Sequence, residues 1–513
     1  MLISRILFGT SVIASTFLFT ACGSSGGTTP TSGSSASSEE ASSSSSSRAS
    51  VPAASSSSAS TPSSDCPAAD ISVETTRVEA ESAIDCGETT VTQISDDSLS
   101  GQAAITPEDG PVNYRLDVDT SGQFTLSFYA QAAKDTANWT LAVDGEPIPL
   151  SAIELAGRET GEWRTLTTDT FYLSDGEQTL QLRFETPPAA LDYFELSYSE
   201  PTTLDAHDTV LNMGVGINLG NTLDAYPNEG DWAPKAELSY FEAFKEAGFH
   251  HVRVPATWDN HTAEAPPYRV DEARMNRTEQ VVDWALAQGY PVILNAHHET
   301  WLKENYEDAN ARARFDAIWT QIAQRFAHKS PRLLFEMLNE PVGMTAEQVN
   351  DLNSRILAII REHNPTRLVV IAGNDYTPAS SLNDIELPDD NYLIGNFHSY
   401  DPWPFAGECT RRWGSDSDKA ELAAIYDTAN DWSIQAGVPV MVNEFGAPHY
   451  DYNNPKNVCN PSDRLAYLRT HVNLAIEHGM AATAWDDAGA FQIYDRGQDS
   501  WDAAKDVLVA PNP

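Results

Sequence analysis

Along residues 70–199, apolar and polar side chains alternate in short runs: Tyr114-Arg-Leu-Asp-Val, Phe124-Thr-Leu-Ser-Phe-Tyr, Trp139-Thr-Leu-Ala-Val-Asp-Gly, Thr179-Leu-Gln-Leu-Arg-Phe and Tyr193-Phe-Glu-Leu. Successive side chains of a strand point to opposite faces, so this period of two predicts half-buried strands, and turn residues recur at about every eight to twelve positions. No helix-length pattern interrupts them. The stretch 66–200 therefore reads as an all-β sandwich.

From about residue 208 the pattern changes to continuous apolar runs that end in a polar residue, each followed by a loop and an amphipathic stretch. Eight runs predict buried strands: Met213–Leu219, His251–Val254, Pro291–Asn295, Leu333–Leu338, Leu368–Ile371, Tyr392–Phe397, Val438–Val442 and Met480–Ala484. Helices are expected over Leu238–Ala247, Glu272–Gln288, Asn310–His328, Ala346–His363, Lys419–Gln435 and Asp463–His478. Eight strand–helix units predict an α/β fold, a closed (β/α)8 TIM barrel occupying 201–513. An open doubly wound sheet is the alternative, weakened because no glycine-rich phosphate fingerprint opens a helix.

The N-terminal end has a different composition. A single Arg5, an apolar stretch Ile6–Phe19 and small residues beyond it give residues 1–21 the architecture of a signal peptide. Phe19-Thr20-Ala21-Cys22 resembles a bacterial lipobox, which implies an acylated Cys22 and, with Gly23 following, a lipoprotein anchored at the outer membrane; ordinary secretion is the alternative. Half of residues 23–64 are Ser, so 22–65 is expected to be a flexible tether with too little apolar surface to fold. In an oxidising compartment the remaining cysteines fall into two close pairs, predicting bridges Cys66–Cys86 and Cys409–Cys459. The net charge of −43 repels nucleic acid and anionic headgroups, leaving a neutral polymer or a cation as the easier partner of an expected monomer.

Within the sandwich region, Val78-Glu79-Ala80-Glu81, Val143-Asp144-Gly145 and Leu191-Asp192-Tyr193-Phe194-Glu195 resemble carbohydrate-binding module family 6. The resemblance implies that Glu79, Glu81 and Asp192 hold a structural calcium, a hard cation suited to carboxylate oxygens. Where that family often carries a sugar-binding Asn before the last strand, this chain has Ala189-Ala190-Leu191. Trp139, Trp163, Tyr114 and Tyr172 are candidates to stack on a sugar, although aromatics of a sandwich more often pack in its core.

In a (β/α)8 barrel, reactive groups sit at the carboxyl ends of the strands. Those positions hold Asn218 and Asn221, Arg253, His297 and His298, Asn339 and Glu340, Asn374, His398 and Tyr400, Glu444, and Trp485. Two are carboxylates, Glu340 after the fourth strand and Glu444 after the seventh, and a facing pair of this kind is what glycosidic hydrolysis requires. Gly216-Ile-Asn-Leu-Gly-Asn-Thr-Leu-Asp224, Val252-Arg-Val-Pro255, Leu294-Asn-Ala-His-His298, Leu338-Asn-Glu-Pro341, His398-Ser-Tyr400, Asn443-Glu-Phe-Gly446 and Ala484-Trp485 resemble glycoside hydrolase family 5, in order and in register with the strand ends.

The resemblance implies a retaining double displacement with Glu340 as acid/base and Glu444 as nucleophile, their carboxyls about 5–5.5 Å apart, and no cofactor for catalysis. Arg253 and Tyr400 are expected to hydrogen-bond Glu444 and favour its charged form, while Glu340 starts protonated. Asn339 would meet the sugar 2-hydroxyl, His297 and His398 would line the subsite before the cleaved bond, Trp485 would floor it, and His298 and Asn221 complete the expected binding set. His297-His298-Glu299 also admits a metal-cluster reading; alternation along a strand argues that one imidazole faces the sugar and the other packs inward. Trp232, Trp258, Trp301 and Trp403, in loops after strand ends, are further stacking candidates. The Gly-Asn-Thr-Leu-Asp-Ala opening is closer to the endoglucanase and xyloglucanase branches, so the expected substrate is a β-1,4-glucan, with mannan, xylan or a purely binding role as alternatives.

Overall fold

A computed structural model describes residues 66–86, 91–107, 110–131, 139–148, 162–184 and 190–510. The expected leader, Cys22 and the expected Ser-rich tether lie outside these residues, as does Ala189.

Residues 69–198 form two sheets. One has five strands in the order Ala69–Ile71, Pro111–Val118, Gly176–Phe184, Trp139–Val143, Glu146–Ile148; the other centres on Gly122–Gln131 beside Ala190–Tyr198. The alternation is literal in Gly122–Gln131, where Phe124, Leu126 and Phe128 are buried and their neighbours half-buried. Those side chains meet Val112, Leu116, Leu180 and Leu182 of the facing sheet in one apolar core, the packing of a sandwich. Both predicted disulfides, Cys66–Cys86 and Cys409–Cys459, are present.

The second region is a closed barrel of eight parallel strands in sequence order: β1 (Val215–Asn218), β2 (Val252–Val254), β3 (Val292–Asn295), β4 (Leu333–Glu336), β5 (Val369–Ala372), β6 (Leu393–Ser399), β7 (Val440–Phe445) and β8 (Ala482–Ala484). Every residue of all eight is buried, because helices cover the outside and the barrel fills its own inside; hence runs without a polar face. The six expected helices occur at Leu238–Ala247, Glu272–Ala287, Ala309–Arg325, Ala346–His363, Asp416–Ala436 and Pro461–Glu477. Two start with reciprocal capping boxes, Thr345 with Gln348 and Ser415 with Asp418, satisfying otherwise orphaned N–H groups.

The barrel interior is layered. Ile293, Leu334, Val370, Ile394 and Met441 fill its lower part and pack on Val210 and Met213 of the helix Ala206–Met213, which closes the bottom. Two residues further along β3, β4, β6 and β7, on the same face, stand Asn295, Glu336, Asn396 and Asn443, all buried. An apolar plug thus supports a buried polar floor beneath the carboxyl-end mouth.

The sandwich packs against the barrel through polar groups. Ser121 N–H donates to His328 O at 2.9 Å, Tyr172 OH to Asp283 at 3.1 Å, and Arg332 pairs with Glu200 at 2.9 Å. No helix of the described residues is long and apolar enough to cross a membrane.

Candidate active site

The carboxyl ends of β3 to β8 open into a cleft of about 1190 Å³, lined among others by His297, His298, Asn339, Glu340, His398, Tyr400, Glu444 and Trp485. Glu340 follows β4 in a left-handed backbone conformation, φ +38°, a strained state for a side chain with a Cβ that the surrounding structure must hold in place. Glu444 is the fifth residue of β7, beyond a register shift against β6 that turns His398 opposite it. One oxygen of each carboxylate and one nitrogen of His398 all lie within 4.8 Å of one another. Carboxylates brought this close suit a reaction in which one of them attacks directly, without a water between them.

Three groups fix the two carboxylates. Tyr400 OH donates to Glu444 Oε1 at 2.8 Å and Arg253 Nη1 to Glu444 Oε2 at 2.9 Å. His398 Nδ1 lies 2.9 Å from Glu340 Oε1 and 3.9 Å from Glu444 Oε2. Arg253 Nη2 also donates to Asn339 Oδ1 at 2.7 Å, orienting the residue before Glu340. The His297 ring lies parallel to the Trp485 indole, centroids 5.9 Å apart.

Burial dominates the electrostatics. It pushes Glu444 above the ordinary carboxylate range, with Glu340 adding repulsion, against the pull of His398, Arg253 and Tyr400. The two expected donors are in place and favour the charged form of Glu444, and burial opposes them. Burial also lowers His297 far below the usual histidine range and His298 to about 4, so both are neutral near pH 7. Tyr400 is raised by burial and by Glu444, and stays a hydrogen-bond donor.

Other expectations are corrected. Asn221 is not among the cleft-lining residues; its amide donates to Asp487 O at 3.2 Å and its N–H to Asp224 at 3.0 Å, so it shapes the loop after β1. Arg253 lies wholly beneath the cleft floor. His297 and His298 both line the cleft, ring centroids 4.7 Å apart, because they sit past the end of β3 where strand alternation no longer applies. Trp258 is fully buried, its indole N–H on Asn295 O, and Trp301 packs on Phe315 under Arg314. Trp232 and Trp403 are about half exposed, the first beside His298 and the second beside Tyr400 in the cleft wall.

The pattern of strand ends missed four residues. Glu336, inside β4, grips Arg253 through two hydrogen bonds. Lys303, whose ammonium donates to His297 O at 3.1 Å, is pulled down to about 8 by burial despite Glu340 nearby. Tyr376 and Phe491 complete the aromatic lining.

In the sandwich, Tyr114 is buried with its hydroxyl on Ala80 O, Tyr172 is tied to Asp283 of the barrel, and Trp139 packs edge-on between Phe128 and Phe184. These three are structural. Trp163 stacks on Tyr129, which stacks on Tyr193. Glu79 Oε2, Glu81 Oε2 and Asp192 Oδ1 are buried with no hydrogen-bond partner. Burial raises both Glu81 and Asp192.

The profile of cellulase (glycosyl hydrolase family 5) matches residues 214–489, more than half of the chain. The chain belongs to glycosyl hydrolase family 5. Family 5 enzymes need no cofactor for catalysis. Among related sequences, Endoglucanase H of Acetivibrio thermocellus is 43% identical over 298 residues, 58% of this chain and 32% of its own length. Endoglucanase B of Clostridium cellulovorans is 32% identical over 58% of this chain and 73% of its own length. The chain thus spans about a third of the first of these relatives. Thermotoga maritima Cel5A, solved with mannotriose, superposes with a TM-score of 0.56 at 29% identity, covering 59% of this chain and all of that one. A tri-modular GH5 (subfamily 4) endo-β-1,4-glucanase from Bacillus licheniformis gives 0.54 at 34% identity, covering 59% and 60%.

Proposed function

We propose that this chain is a retaining endo-glycosidase that cleaves β-1,4-glucan by double displacement. The close approach of Glu340 and Glu444 at the ends of β4 and β7 carries the reading. Glu444 attacks the anomeric carbon while Glu340 gives its proton to the departing sugar oxygen; Glu340 then takes a proton from the water that releases the glycosyl ester. Tyr400 and Arg253 hold the two Glu444 oxygens, which aims one of them at carbon. Exposed Tyr376 and Trp403 in the cleft lining offer ring faces to sugars beyond the cleaved bond, which supports internal cleavage.

The names of the relatives, endoglucanases, support β-1,4-glucan as substrate. A Cel5A solved with mannotriose keeps mannan as the second reading. Reducing-end release from carboxymethylcellulose, barley β-glucan, xyloglucan and glucomannan, measured side by side, tests this. Glucans are expected to be cut fastest, with an early fall in viscosity; glucomannan alone as substrate refutes the assignment.

The sandwich is proposed to bind glycan. Glu79, Glu81 and Asp192 would hold a calcium ion there: their three partnerless oxygens suit a hard cation, and at Gly101 a Cβ would stand 2.3 Å from Glu81 Oε1, so the pocket admits no bulk. A monomer anchored through a lipidated Cys22 at the outer membrane completes the proposal.

A further inference from the structure

Arg253 is fully enclosed, and each of its five N–H groups is used. Nε donates to Glu336 Oε2 at 2.7 Å and Nη2 to Glu336 Oε1 at 2.8 Å. Nη2 also reaches Asn339 Oδ1 at 2.7 Å; Nη1 reaches Asn218 Oδ1 at 2.9 Å and Glu444 Oε2 at 2.9 Å. Glu336 is itself buried and accepts a further bond at 2.9 Å from Asn443 Nδ2, on the residue before Glu444.

We propose that Glu336 is a positioning residue for the reaction: its two-point grip fixes the plane of Arg253, and its negative charge divides that cation between two carboxylates. The grip matters because a guanidinium held along one edge presents its other N–H groups in fixed directions, here to Glu444 and Asn339. One cation serving two buried anions leaves a net negative cluster. Glu444 therefore feels only part of the Arg253 charge and remains a stronger base and nucleophile than in an exclusive ion pair.

Burial raises Glu336, but Arg253 outweighs it and leaves Glu336 lowered, whereas Glu444 is raised. Of the two anions, Glu336 takes the larger share of the cation. The other charged or titratable groups acting on Glu444 are Glu340 beyond β4 and His398 and Tyr400 from β6; Lys303 beyond β3 also feels its charge. None of them touches Arg253 as Glu336 does.

The inference rests on Glu444 being the nucleophile. Its test compares wild type with E336Q on soluble β-glucan, measuring kcat, KM and the pH dependence of kcat/KM. E336Q is expected to lose about tenfold or more in kcat with KM within about twofold, and its acid limb is expected to move down by about half a pH unit or more. Near-normal kcat, or a lowered kcat with an unmoved acid limb, overturns the proposal, since a merely structural carboxylate would not set that limb. If E336Q does not fold, E336D is read instead: it keeps the charge but loses reach, so kcat falls at least about fivefold with the limb in place, and unchanged kcat overturns the proposal. Wild type inactive on every β-glycan would sink the nucleophile reading itself, which separates the two failures.

Discussion

His398 Nδ1 stands 2.9 Å from Glu340 Oε1, so an imidazole from β6 holds the carboxylate that follows β4. The contact crosses the barrel mouth and places His398 beside Glu340, the proposed proton donor, as well as in the cleft lining. H398A is expected to cost about tenfold in kcat on β-glucan, the worth of one hydrogen bond. A dinitrophenyl cellobioside, whose leaving group needs no proton, should suffer much less. Equal losses on both substrates would place His398 outside proton transfer.

The role assignment of the two carboxylates is checked by chemical rescue. E444A should be inactive yet folded, and azide should restore turnover by giving the α-glycosyl azide, inverted at the anomeric carbon. E340A with azide and an activated substrate should give the β-azide. Exchanged stereochemistry between the variants would exchange the roles.

Much of this site was legible because barrel strands are buried on both sides. Their runs carry no polar face, so the residue ending each run marks the mouth, and Glu340, Glu444, His398 and Tyr400 emerged that way. Glu336 did not, because one carboxylate inside Leu333–Leu338 becomes meaningful only when closure brings β2, β4 and β7 around Arg253. Trp258 misled for the converse reason: its loop position suggested exposure, but Asn295 O and Arg274 gave it an interior place. In the sandwich, alternation marked the buried face of Gly122–Gln131 but said nothing of which aromatics meet the barrel, as Tyr172 does.

A pH dependence of stability follows from Glu299. It is fully buried, Oε1 accepts from Trp258 N–H at 2.8 Å and Oε2 has no partner; burial raises it to about 7. The folded protein holds this proton where the unfolded chain, with an ordinary carboxylate near 4.5, has lost it. Its contribution to stability is thus fullest at low pH and is lost as pH rises from about 4.5 through about 7. E299Q should flatten the fall in Tm between pH 5 and 8, by about 1–3 kcal/mol in unfolding free energy. Parallel Tm curves for E299Q and wild type would contradict the assignment.

Cys409–Cys459 joins the loop after β6, which carries Trp403, to the loop after β7, closing 50 residues of separation. C409S/C459S should unfold about 2–4 kcal/mol more easily in urea. It should also raise KM for long glucan chains more than for an aryl cellobioside, because the cleft wall at Trp403 loses its tie. Unchanged stability and KM would show that the bridge constrains neither.

The central claim is that Glu444 bonds to the sugar before water does. Proton NMR of cellopentaose during the first seconds of cleavage reads it directly through the anomeric signals of the new reducing ends. The account predicts that β-anomer appears first and α-anomer only later by mutarotation; α-anomer appearing first would mean single displacement and would contradict it.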